Sequence, residues 1–134
     1  MGAIARSAAA LFLCAAAIAQ TPSDVVQFLR GTATVLANAH DDGPREFLDH
    51  FERTMPGYAT LREYVEALVA RAEVGSAIEI VSDSGDERKR VVELDWLLEV
   101  QDQRPRRQVL KCTIEKRGKS WKFTSLDPVD FFKY

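Results

Sequence analysis

Hydrophobic and charged residues alternate over Arg90–Gln101 more regularly than anywhere else in the chain. Val92, Leu94, Trp96, Leu98 and Val100 fall on one side of an extended strand, and Glu93, Asp95, Glu99 and Gln101 on the other, with Leu97 the apolar exception. A strand with one dry face has to lay it on another apolar surface, and the helical segments upstream supply the only large ones. The spacing there is helical. Thr21-Pro22-Ser23-Asp24 predicts a capped helix start, with Asp24 reaching back in a capping box, after which Val25, Phe28, Leu29, Val35, Leu36 and Ala39 recur at helical spacing to an end near Asn38–His40. The small polar Thr32 fills the turn between the two apolar clusters, and Gly31 weakens the helix.

Asp41-Asp42-Gly43-Pro44 breaks the chain. Phe47, Leu48 and Phe51 predict a short second helix stopped by Met55-Pro56-Gly57. A third is predicted from the capping box Thr60–Glu63, with the stripe Leu61, Tyr64, Val65, Leu68, Val69 and Ala72 closed by Gly75. Beyond Gly75 the period becomes 2. Strands are expected at Ala77–Ser82, Arg88–Gln101, Gln108–Lys116 and Trp121–Leu126, with turns at Asp83–Asp86, Gln103–Pro105 and Gly118. Phe131 and Phe132 are too apolar to dangle and are expected to fold back over an edge of the sheet. The fold class is therefore α+β: three N-terminal helices on one face of a four-stranded antiparallel sheet, curled by its own twist into a cone.

The first 19 residues change this picture only by leaving it. Arg6, the run Ala8–Ala19 and the small-residue ending Ala17-Ile18-Ala19 read as a signal peptide helix cleaved before Gln20, too short to span a bilayer. That leaves one domain over residues 20–134, exported to the periplasm or secreted, with no stable membrane anchor after cleavage. Cys14 follows Leu13 and does not suit lipidation, so Cys112 remains the only thiol and no internal disulfide is expected. Loss of Arg6 takes the formal charge from −2 to −3, and no basic stripe points to nucleic acid.

Phe47-Leu48-Asp49-His50-Phe51, Met55-Pro56-Gly57-Tyr58, Glu93-Leu94-Asp95-Trp96 and Gly118-Lys119-Ser120-Trp121-Lys122-Phe123, in this order of elements, resemble the nuclear-transport-factor-2-like (SnoaL-like) superfamily. The resemblance covers about Thr21 to Phe132 and implies a sheet curled around helices over a cavity. It marks fold and not activity, since members include isomerases, dehydratases, cyclases, binders and interaction modules. No catalytic set transfers residue by residue, because the steroid-isomerase pattern needs a carboxylate base and acidic hydroxyls inside the cone.

The inward phase offers Ile78, Ile80, Val92, Leu94, Trp96, Leu98, Val100, Leu110, Cys112, Ile114, Trp121 and Phe123, none of them an acid or base at neutral pH apart from Cys112. The reading that follows is non-enzymatic: an apolar small molecule or a partner held in a cone cavity lined by Tyr64, Trp96, Leu98, Cys112 and Phe123, with plain core packing as the alternative for each. An isomerase or dehydratase would have to use Asp95, inverted by a bulge, or His50. Asp95 otherwise lies on the wet face opposite Lys111 or another basic group, and His40 and His50, ten positions apart, do not make a metal site. No cofactor is implied. Val91, Leu97 and Val109 interrupt the charges of the outer face, which would suit a homodimer. The basic runs Glu87–Arg90 and Arg104–Arg107 read as solvated strand ends.

Overall fold

The computed structural model describes residues 21–134, so the expected signal peptide, residues 1–19, lies outside the described residues. Helix α1 spans Ser23–Asp42, the single turn α2 spans Arg45–Leu48, and α3 spans Tyr58–Arg71; strands β1 (Val74–Gly85), β2 (Lys89–Val100), β3 (Arg106–Arg117) and β4 (Ser120–Asp127) follow, then a 3-10 turn over Val129–Phe132. The strands form one antiparallel, curved, open sheet in the order β1-β2-β3-β4. The fold is α+β, as the change of period predicts.

Helix α1 buries Val25, Leu29, Thr32, Ala33, Leu36 and Ala39, the stripe that its spacing dictates, and it runs through Gly31 without a break. Neither expected capping box forms: α1 follows Pro22 and α3 follows Gly57, and neither start has a side-chain cap. Asp24 is diverted. Its Oδ2 accepts from Trp121 Nε1 at 3.0 Å and from Lys116 Nζ at 3.2 Å, tying the first turn of α1 to the β3–β4 hairpin. Gly75 does not close α3 but pairs with Glu99 inside β1.

The inward phase of the sheet is as the alternation requires. Val92, Leu94, Trp96, Leu98, Leu110, Cys112, Ile114 and Phe123 have no exposed surface, while Ile80 is half-buried beside the bulge that leaves Val81 unpaired. The β1–β2 hairpin is tighter than the expected turn, because β1 continues to Gly85. There a Cβ would sit 2.2 Å from the Lys89 carbonyl oxygen, at φ 142°, so only glycine fits.

The basic runs are exposed as expected except for one arginine in each, Arg90 and Arg106. Arg90 pairs with Asp83 through two hydrogen bonds, 2.8 and 3.0 Å, with side chains only 12% and 6% exposed. Arg106 donates to the carbonyl oxygen of Phe131 at 2.9 Å and to Gln103 Oε1 at 2.8 Å. The chain after β4 thus folds back beside the end of β3, as expected, and goes further than an edge cover. Phe132 enters the core, edge-on to Trp96 at 5.0 Å and tilted against Phe47 at 5.9 Å. Removing it leaves a void between Trp96 and Phe47 that short helices cannot collapse into. We expect Phe132→Ala to cost about 3–5 kcal/mol in urea denaturation, against a few tenths for Tyr134→Ala at the exposed end.

Candidate functional site

Of the expected cavity walls, Trp96, Leu98, Cys112 and Phe123 have no exposed surface and Tyr64 is half-buried against the same cluster. The sheet's pleat turns the first four inward, where Phe47, Phe131 and Phe132 pack on Trp96 and Phe28 and Phe51 on Phe123. The Trp96 indole N–H is satisfied by Ser76 Oγ at 2.9 Å across the β1–β2 pair. Burial pushes the Cys112 thiol up to about 12, so it stays protonated at neutral pH. Tyr64 faces Lys133, whose Nζ lies 6.0 Å from the ring centroid. Thr32 is the one polar residue buried as a whole among the described residues.

Asp95 lies on the outer face opposite Val109, with Trp96 enclosed beneath it. Its carboxylate accepts from Arg107 Nε and Nη2 at 2.9–3.1 Å, a fork-like pair that lowers its pKa. The basic partner is thus Arg107, on the diagonal, while Lys111 stands opposite Glu93. On that same face Val91 and Val109 are 37% and 46% exposed, and Leu97 is half-buried.

His50 is half-buried, whereas His40 is exposed. The segment Phe47–Phe51 leaves its helical turn and runs alongside β4, where Phe123 N–H donates to the His50 carbonyl and Glu52 N–H to that of Phe123. This places the imidazole flat on Phe28, with centroids 5.1 Å apart and planes at 17°. His50 Nδ1 lies 2.7 Å from Thr32 Oγ1, whose proton goes to the Phe28 carbonyl at 2.8 Å. The hydrogen-bond network therefore assigns the His50 proton to Nδ1 and leaves Nε2 as an acceptor. No buried side-chain nitrogen or oxygen among the described residues lacks a partner, so Nε2, which has none, meets solvent. Burial, then the nearby Lys122 ammonium, hold the ring's pKa below 6.5, so the neutral form dominates at pH 7. The Thr32 contact was not legible in the sequence, being 18 positions away, although Thr32 on an apolar stripe was the available sign.

His40 is elsewhere: its Nδ1–H donates to the Val69 carbonyl at 2.7 Å, joining α1 to α3 on the rim of a cleft of about 530 Å³ that also meets Asp41, Glu73 and Glu99. A smaller cleft of about 280 Å³ is bordered by Arg45, Arg53, Tyr58 and Arg62. Neither cleft reaches Trp96, Leu98, Cys112 or Phe123. Among the described residues no three His, Cys, Asp or Glu side chains converge to hold a metal ion, and no helix is long and apolar enough to cross a membrane.

The chain matches no protein-family model and no curated protein. Among solved structures it is similar to the Bdellovibrio bacteriovorus protein Bd1075, at 13% identity and a TM-score of 0.66, over 78% of this chain and 38% of that one. The chain thus corresponds to well under half the length of that relative, and the likeness is one of fold. A candidate aromatic ring hydroxylase of Novosphingobium aromaticivorans aligns at 16% identity and a TM-score of 0.48, over 80% of this chain and 89% of that one.

Because the folded protein holds the His50 pKa below its ordinary 6.5, the unfolded chain binds the proton first. The neutral ring's contribution is intact above about pH 6.5 and is lost as pH falls from there toward the lowered folded value. Urea unfolding between pH 7.5 and 5 should show this loss. In His50→Asn, whose amide can still donate to Thr32, that part of the slope should vanish.

Proposed function

We propose that this chain is a non-catalytic binding module of the nuclear-transport-factor-2-like superfamily, exported as its N-terminal segment suggests, which engages a partner at its surface and keeps its cone interior as solid core. One observation carries this reading. The four innermost residues that a ligand would have to touch are fully enclosed, and Thr32, the one polar residue buried as a whole among the described residues, is already hydrogen-bonded. A cavity binder would present apolar walls with a few convergent polar groups to a space of several hundred Å³. Here the apolar walls meet each other: Phe47, Phe131 and Phe132 pack around Trp96, and Phe51 stacks on Phe123 at 4.7 Å.

Two further observations support a role without catalysis. Asp95 is locked in an ion pair on the outer face, and the Cys112 thiol is held protonated in hydrocarbon. The fold likeness to known structures adds the scaffold and nothing about activity. A homodimer through the outer sheet face, at Val91, Leu97 and Val109, is one form that surface engagement could take, and sedimentation at high concentration reports it.

A second reading has a specific observation in its favour. The neutral His50, with Nε2 open to solvent and Nδ1 anchored, is oriented as a general base would be, which suits an isomerase or dehydratase. The two readings separate cleanly. Native mass spectrometry of the full chain, incubated with lipid and steroid extracts, should find no retained species, and Cys112 should resist alkylation at pH 8 until urea unfolds the domain. A stoichiometric apolar ligand that protects the fold, or turnover abolished in His50→Asn, would replace the proposal.

A further inference from the structure

Strand β3 is twelve residues long, yet β4 covers only part of it. Their pairing runs from Arg117 opposite Ser120 to Lys111 opposite Asp127, after which the chain leaves the sheet at Pro128. Arg106–Leu110 thus have a neighbour on the β2 side alone among the described residues. The direction of the backbone groups is fixed at two points. Lys116 N–H donates to the Arg88 carbonyl on the β2 side, and Thr113 N–H donates to Ser125 Oγ on the β4 side. Alternation along an antiparallel strand then aims the N–H and C=O of both Arg107 and Val109 at the uncovered side. Val109 is 46% exposed, and a cleft of about 510 Å³ lies alongside, bordered by Arg106, Arg107 and Gln108 on β3 and by Pro128, Asp130 and Phe131 across from them, so that one carboxylate stands on its far rim.

We propose that this uncovered half of β3 is a strand-addition site for an extended acidic segment of a partner protein. The inference rests on the surface-engagement reading above and names the surface. Two donor–acceptor pairs two residues apart, about 7 Å, repeat the spacing of an extended backbone and not that of a helix or a ring. Charge selects the kind of segment. Arg104 is exposed and Arg106 donates only to neutral oxygens, so neither has a carboxylate partner among the described residues, whereas Arg107 is paired with Asp95. The other strand edges are less suited. His50–Glu52 already pair with β4 at Phe123, and β1 carries a bulge at Val81 and the carboxylate of Glu79.

The test uses the full chain and two fluorescein-labelled octapeptides, one alternating Glu and Val, the other Lys and Val. Fluorescence anisotropy should show the Glu/Val peptide binding at least tenfold more tightly than the Lys/Val one. Hydrogen exchange should show the Arg107 and Val109 amides gaining protection on binding. Val109→Pro removes a donor that the sheet does not use and should weaken binding at least tenfold while leaving the far-ultraviolet circular dichroism unchanged. Should that variant fail to fold, Arg104→Glu, at an exposed position, should still weaken the Glu/Val peptide several-fold and strengthen the Lys/Val peptide. Failure of the Glu/Val peptide to bind, protection appearing at β1 instead, or Arg107 and Val109 protected without peptide as protein concentration rises would each overturn the site. None of these outcomes bears on whether the interior holds a small molecule, which the mass spectrometry decides separately.

Discussion

The constraint on which the rest depends is the dry face of β2. Its buried positions, Val92 to Val100, span about 27 Å, close to the reach of about 30 Å of the 20-residue α1. Length is matched, but the helices do not supply all of the cover. Aromatic rings from α2 and from the turn after β4 meet over Trp96, the largest fully buried side chain among the described residues. The last residues of the domain are therefore part of its core: Phe131 and Phe132 complete the cover of that indole.

Charged residues take the complementary part, holding the ends of elements in place around that core. Asp24 fastens the start of α1 to Trp121 and Lys116, Arg90 and Asp83 clamp the β1–β2 hairpin, and Arg106 holds the carbonyl of Phe131. Asp83 and Arg90 are the most enclosed of these, and a pair so placed gives geometry more than net stability. With ionisable groups spent on element ends, the interior is left to hydrocarbon, one threonine and one protonated thiol.

How much of this was legible follows from the range of the interactions involved. The inward phase of β2 and β3 was, because alternation over five or more residues has no other register that keeps both faces in a suitable environment. The apolar stripes of α1 and α3 were legible for the same reason. Caps were not: Asp24 has the right residue type for a box, but Trp121 and Lys116, almost a hundred positions away, compete for its oxygen and win. The expected cavity walls were identified as inward-facing, yet orientation along a strand does not say whether the space in front is empty. That depends on Phe131, Phe132 and Phe51, which were read as an edge cover and a short helix. The Asp83–Arg90 pair lay within reach of hairpin reasoning, since both residues sit on the inner side of one tight turn.

An open strand edge is a liability that folded proteins ordinarily blunt, so where it is left and what surrounds it carry information. Here β4 stops at Asp127 because the chain is needed elsewhere: Phe131 and Phe132 have to reach Trp96, and they cannot do so while continuing the ladder. The demand for these rings over Trp96 thus uncovers Arg107 and Val109 on β3. The unpaired charges of Arg104 and Arg106 beside that edge favour an acidic strand. In this domain a covered Trp96 and an available backbone edge are two consequences of one diversion of the chain.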